Sequence, residues 1–268
     1  MTARAIGALT RASWYHARSY RLSLVMQFLG LIFTVVPIYF ISTALETTMA
    51  GTIAGESDQY FGFMLVGMVA LMFVTASIST LQGTIAGGIS TGYFESLLMT
   101  RAPVPWILSG LTSYGLILTA IRATIMLVAG WALGAQVAWS QALPAALIIL
   151  VLVATHWGIG LIGAGLIIAF RTAGPLNTIV TTLSVFFGGV YYPVSAIPSW
   201  LKSISDATPL SYGLRALRRV LLQGNDLSAV SSDLAILVAM GVLTLMVGSW
   251  AFATSLRYAK RAGTLSTY

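Results

Sequence analysis

The chain has 268 residues, 57% of them hydrophobic and 8% charged, with no cysteine and a formal net charge of +7. Soluble domains carry about 25% charged residues, and a water-soluble core of this size could not hide so much apolar surface, so a membrane protein is expected. The lack of cysteine excludes disulfides and thiolate metal sites, and the cations sit at the ends of apolar runs, which fits orientation in a membrane better than binding of nucleic acid.

The chain begins with a basic segment, residues 1–21. Arg4, Arg11 and Arg18 recur at a spacing of seven, with Ile6, Leu9, Ala17 and Tyr20 on the opposite side of a helical wheel. That pattern predicts an interfacial helix, apolar side in lipid and arginines toward phosphates or a partner protein. A plain juxtamembrane positive cluster is the alternative. The first apolar run is too long for a signal-peptide core and no small-residue cleavage site follows it, so no cleavable leader is expected.

Six runs reach the roughly 20 residues that a helical crossing needs. They cover about 22–45, 59–83, 104–134, 142–170, 175–194 and 232–256. The expected fold is an all-α membrane protein with one transmembrane domain over 1–268: an interfacial helix at 1–21, a six-span bundle at 22–256 and a tail at 257–268. Alternating ten-residue segments, the mark of a membrane barrel, are absent. Lys and Arg set the direction. Residues 1–22, Arg101, Arg171 and the tail hold nine cations together, whereas the first inter-span connection has none and carries Glu46, Glu56 and Asp58. Both termini are therefore expected in the cytoplasm, with the segment 195–231 and its four cations outside; the membrane expected is the inner membrane of a prokaryotic cell.

Several polar residues fall inside spans. Met68, Met72, Thr75, Ser79 and Gln82 align on span two; Asn177, Thr181, Ser184 and Gly188 align on span five, flanked by Thr178 and Thr182 and capped by Phe186 and Phe187. Such stripes face other helices or a pathway rather than lipid. Arg122 lies about 25 Å along span three, near the outer leaflet, where structural snorkelling or ion pairing stands against contact with cargo. His156 reads as an interhelical hydrogen-bond donor rather than a proton relay, because no carboxylate lies in a span. The GIGLIGAG run at 158–165 matches a dinucleotide pattern but lies mid-span with no preceding strand; Gly160 and Ala164 there permit close helix contact instead. No P-loop sequence occurs.

Between spans two and three, GYFESLLMTRAPVPW predicts a short cytoplasmic helix through Tyr93, Phe94, Glu95, Leu97, Leu98, Thr100 and Arg101, ended by Pro103 and Pro105. It suits either a docking knob or a simple interfacial turn. Before the last span, GGVYYPVSAIPSWLKSISDATPLSYGLRALR predicts two helices too short to cross. Pro198 starts one through Trp200; Thr208 and Pro209 start another with an apolar row of Leu210, Leu214, Leu217 and Leu221, ended by Gly224.

FESLLMTRAPV resembles the coupling-helix segment of ATP-binding-cassette exporters with type-2 permeases, although Thr100-Arg101-Ala102-Pro103 displaces the usual proline. The later stretch resembles the same family's signature before the last span, with Tyr192-Pro193, Ile197-Pro198-Ser199-Trp200-Leu201 and Pro209-Leu210-Ser211-Tyr212 ahead of Arg215. The resemblance implies a permease that works as two copies, or with a close homologue, and carries no ATPase of its own; ATP and Mg would bind the partner ATPase subunits. Those subunits would dock on the helix around Glu95 and on the N-terminal helix through Arg11 and Arg18. The resemblance also implies a pathway between spans two and five, and an exit-side re-entrant hairpin whose arginines meet lipid phosphates or an anionic lining. The expected cargo is an amphipathic or lipid-like compound, drugs included, with a polysaccharide or lipid-linked glycan as the alternative. A proton-coupled transporter would call for intramembrane carboxylates or inverted repeats, and neither is evident. A membrane assembly factor without transport is the remaining rival.

Overall fold

The computed structural model describes residues 21–100, 103–172 and 176–262. The N-terminal arginines Arg4, Arg11 and Arg18, together with Arg101, lie outside the described residues. Regular structure among the described residues is helical throughout: α1 (Arg21–Ile53), α2 (Tyr60–Ser90), α3 (Tyr93–Leu98), α4 (Val104–Ala132), α5 (Ala142–Phe170), α6 (Leu176–Phe187), α7 (Ser199–Asp206), α8 (Pro209–Leu221) and α9 (Ser231–Ala262).

Five of these, α1, α2, α4, α5 and α9, are long and apolar enough to cross a bilayer. The expected fifth span is different. Among the described residues its apolar run yields the 12 residues of α6, a rise of about 18 Å against a hydrocarbon core of about 30 Å. The chain turns after Phe187 because Gly188 and Gly189 follow, and Gly189 takes a left-handed φ of 83° that side chains disfavour. The Tyr192 hydroxyl then donates to the Phe186 carbonyl and Pro193 leaves in an extended conformation, closing the helix end. An apolar count alone cannot see that turn.

α2 is the axis of the bundle. Phe63, Leu65, Val66, Val69, Ala70, Val74, Ile78, Leu81 and Ile85 are all buried, packed by α1 and α4 on one side and α5 and α8 on the other. The outer helices turn large apolar side chains outward, among them Phe33, Trp131, Leu243 and Trp250. That surface suits hydrocarbon, not water.

α5 and α9 meet backbone to backbone. A Cβ at Gly158 would come within 2.5 Å of the Thr244 carbonyl carbon, and one at Gly248 would strike the Gly158 carbonyl. The Thr244 hydroxyl donates to the Thr155 carbonyl at 2.9 Å across the same contact. On another face of α5, Gly160 lies against Ser77 and Ile78 of α2. The glycine run at 158–165 is thus a helix-packing device, as its mid-span position indicated.

Candidate functional site: a mid-helix pocket and a clamped hairpin

The short helix α3 sits at one end of the bundle and the α7–α8 hairpin at the other. Gly92, with a φ of 70°, reverses the chain after α2 so that α3 folds back. Phe94 is 1% exposed and packs against Gly88, where a Cβ would approach its own Cβ to 3.1 Å. Its role is to anchor α3 to the bundle, so it is not a free docking contact. Tyr93 and Thr100 are exposed, and Glu95, Leu97 and Leu98 half-buried.

α8 is amphipathic because Leu210, Leu214, Leu217 and Leu221 share one face, and all four are buried against α2, α5 and α9. Pro209 occupies its first turn. The Thr208 hydroxyl does not cap it; it donates backward to the Ile204 carbonyl at 2.8 Å. Instead the Ser211 hydroxyl reaches the Ser205 and Thr208 carbonyls and ties α7 to α8. Gly224 ends the segment with a φ of 70°. Pro193 is buried, Pro209 and Tyr212 half-buried, and Pro198 and Trp200 exposed.

The resemblance implies that the arginines of α8 meet lipid phosphates or an anionic lining. Each has a carboxylate in the chain. Arg215 pairs with Asp233 at 2.9 Å, and Arg219 approaches the same residue at 3.8 Å. Arg218 is 1% exposed and pairs with Glu56 at 2.9 Å. Its remaining donors go to the carbonyls of Phe63, Gly189 and Val190, and the guanidinium lies over the Phe63 ring. Tyr60 adds a bond from its hydroxyl to the Tyr191 carbonyl at 2.9 Å, and the Glu46 carboxylate accepts from the Tyr60 amide. One side chain thus holds the start of α2, the turn after α6 and the middle of α8 together.

The polar stripe of α2 has another fate. Met72, Thr75 and Ser79 line a pocket of about 320 Å³ together with Ala76 and Thr80 and, from α4, Gly115, Leu118, Thr119 and Arg122. Met68 lies outside that lining and packs in the core. Thr75 is fifteen residues from both Tyr60 and Ser90, so the pocket is at mid-depth of the bundle. Its hydroxyls bond carbonyls of their own helices: Thr75 to Leu71 at 2.9 Å, Ser79 to Thr75 at 2.7 Å and Thr119 to Gly115 at 2.8 Å. Arg122 lines the cavity, and its Nε is buried without a hydrogen-bond partner. It stands ten residues, about 15 Å, from the end of α4 at Ala132.

Within one chain the stripe of α2 therefore faces α4, and no residue of α6 lines this pocket. On α6, Ser184 is buried and Asn177, Thr181 and Phe187 half-buried, while Thr178, Thr182 and Phe186 point outward. Sequence reading found the α2 face and Arg122 separately, but missed Gly115 and Thr119. The signal was there, since Gly115, Leu118, Thr119 and Arg122 follow the i, i+3, i+4, i+7 spacing of one helical face.

A bundle of five apolar helices, one of them central, with a polar pocket at mid-depth, defines a polytopic membrane protein. Residues 4–222 match the family model described as ABC-2 type transporter, and the chain belongs to that family. Its class is thus the membrane permease of an ABC transporter, a subunit that works with an ABC ATPase. No curated protein matches the chain.

Proposed function

We propose that two copies of this chain form the membrane pathway of an ATP-driven exporter for an amphipathic or lipid-like compound, drugs included. The observation that carries this reading is the pocket of Met72, Thr75, Ser79, Thr119 and Arg122 at mid-depth of the bundle. Ser79 is exposed on its open side. Hydroxyls and a guanidinium opening outward at that depth are costly against hydrocarbon, so a second copy closes the pocket and polar cargo fills it.

In this reading α3 is the coupling helix. It presents Tyr93, Glu95, Leu97, Leu98 and Thr100, with Arg101 beside them, to an ATPase subunit that binds ATP and Mg. Arg11 and Arg18 contribute from the N-terminal segment. α6 and the chain on either side of it make the sixth passage, so both termini lie in the cytoplasm of a prokaryotic inner membrane, and α7–α8 forms a re-entrant cap on the exit side. The row Thr178, Thr182 and Phe186 of α6 meets the pathway from the second copy.

The test is to purify the tagged chain with its ATPase subunit and follow ATP-dependent uptake of an amphipathic dye into inside-out vesicles. S79W and T75W should cut uptake at least tenfold with the ATPase subunit retained, while L243W on the outer face of α9 should have no effect. Glu95→Arg should leave the bundle folded but uncouple hydrolysis from uptake. Full uptake in S79W would overturn the pathway. ATPase activity without movement of any amphipath would point to a polysaccharide or lipid-linked glycan instead.

A further inference from the structure

We propose that Arg122 makes the α2–α4 pocket a receptor for the anionic group of an amphiphile, a phosphate or a carboxylate. The inference rests on the reading of the pocket as a cargo site and specifies the charge of what enters it.

Arg122 carries a charge with no carboxylate paired to it among the described residues. The chain has seven carboxylates. Glu46 bonds the Tyr60 amide at the start of α2, Glu56 pairs with Arg218, and Asp233 pairs with Arg215. Asp58 lies in the α1–α2 connection, Glu95 on α3, and Asp206 and Asp226 flank α8. All seven lie at the two ends of the bundle. Among the described residues none forms an ion pair with Arg122. A second copy in a parallel pair would bring the same seven residues at the same levels, so it cannot supply the missing anion at mid-depth either. Arginine keeps its proton at neutral pH, so the charge cannot be shed. A bound anion would balance it.

The lining also has the chemistry of an anion site. A guanidinium offers a planar fork that matches the oxygens of a carboxylate or phosphate. Thr75, Ser79 and Thr119 can swing their hydroxyls from their own carbonyls to add donors. No acidic side chain lines the pocket, so a cationic head would meet repulsion and no counter-charge. Met72 and Leu118 give the same pocket an apolar side. About 320 Å³ holds a head group and a few methylenes but not a whole lipid, so a tail must leave through the open side at Ser79.

The chain is free of cysteine, so S79C introduces its single thiol. The experiment measures maleimide labelling of S79C in the full complex, in phosphatidylcholine nanodiscs, with added dodecyl phosphate, dodecyltrimethylammonium or inorganic phosphate. Dodecyl phosphate should protect at a concentration at least tenfold below that of dodecyltrimethylammonium. R122Q should erase the difference and R122K should keep part of it. Discs containing phosphatidylglycerol separate the sources: protection by that lipid alone identifies a resident lipid head group, and protection only by added dodecyl phosphate identifies a free amphiphile. Either supports the proposal.

Equal protection by both surfactants, or a preference unchanged in R122Q, would overturn the anion assignment and leave the cargo pocket standing. Protection by inorganic phosphate as strong as by dodecyl phosphate would overturn the amphiphile assignment. No protection by any amphiphile would overturn this proposal and the cargo pocket together. Should R122Q fail to fold, the preference in S79C alone and in S79C with R122K still decides.

Discussion

Two arginines sit in this bundle in opposite circumstances. Arg218, in the hairpin, has a carboxylate, three backbone carbonyls and an aromatic face around it, and it is almost fully buried. Arg122, at mid-depth, lines an open pocket with its Nε unpartnered. The first is spent on joining three pieces of the chain. The second has no carboxylate paired with it among the described residues. A charge paired with a carboxylate of its own protein belongs to the fold; a charge at such depth with no carboxylate paired to it points to a ligand.

The sharpest way to break this contrast is to remove Arg218. R218A leaves Glu56 buried without its partner and three carbonyls short of a donor, so a loss of about 3–5 kcal/mol is expected. Thermal unfolding in detergent measures it. R218M combined with E56Q should lose less than the two single changes summed, because no lone charge is left behind. Next in size is G67A. Its Cβ would come within 2.5 Å of the Val190 carbonyl oxygen and 3.0 Å of Arg218 Nη2, so it should cost about 1–3 kcal/mol by pushing the clamp apart.

A smaller loss, about 0.5–1 kcal/mol, is expected for D233N, since Arg215 and Arg219 are partly exposed and the pair is screened. That loss should shrink as salt is raised, whereas the Arg218 effect should not. The smallest change in stability is expected for R122Q, within about 0.5 kcal/mol. A large loss in R122Q, or none in R218A, would erase the distinction between the two sites.

What the sequence could reveal follows the range of each interaction. The α2 face was legible because Met72, Thr75 and Ser79 repeat within one helix, and the apolar row of α8 was legible for the same reason. The clamp was not. Arg215, Arg218 and Arg219 look alike in the sequence, and Glu56 lies 162 residues from Arg218. Which arginine is buried depends on how α8 rotates against α2, and that is set by packing of Leu214 and Leu217 rather than by charge. The short α6 escaped notice because apolarity continues through Val190 and the tyrosines after the helix has ended. The Gly188-Gly189 pair and Pro193 were the punctuation to heed.

The contact between α5 and α9 also limits how this protein can change over generations. At most buried contacts a larger residue on one side can be tolerated if its neighbour shrinks. Gly158 and Gly248 are neighbours that have both already reached the smallest residue, and each lies against the other helix's backbone. A mutation at either therefore has no compensating partner at the contact, and only a shift of a whole helix can accommodate it. Lineages descending from this chain should keep both positions closed to substitution while outward positions such as Leu243 drift among apolar residues.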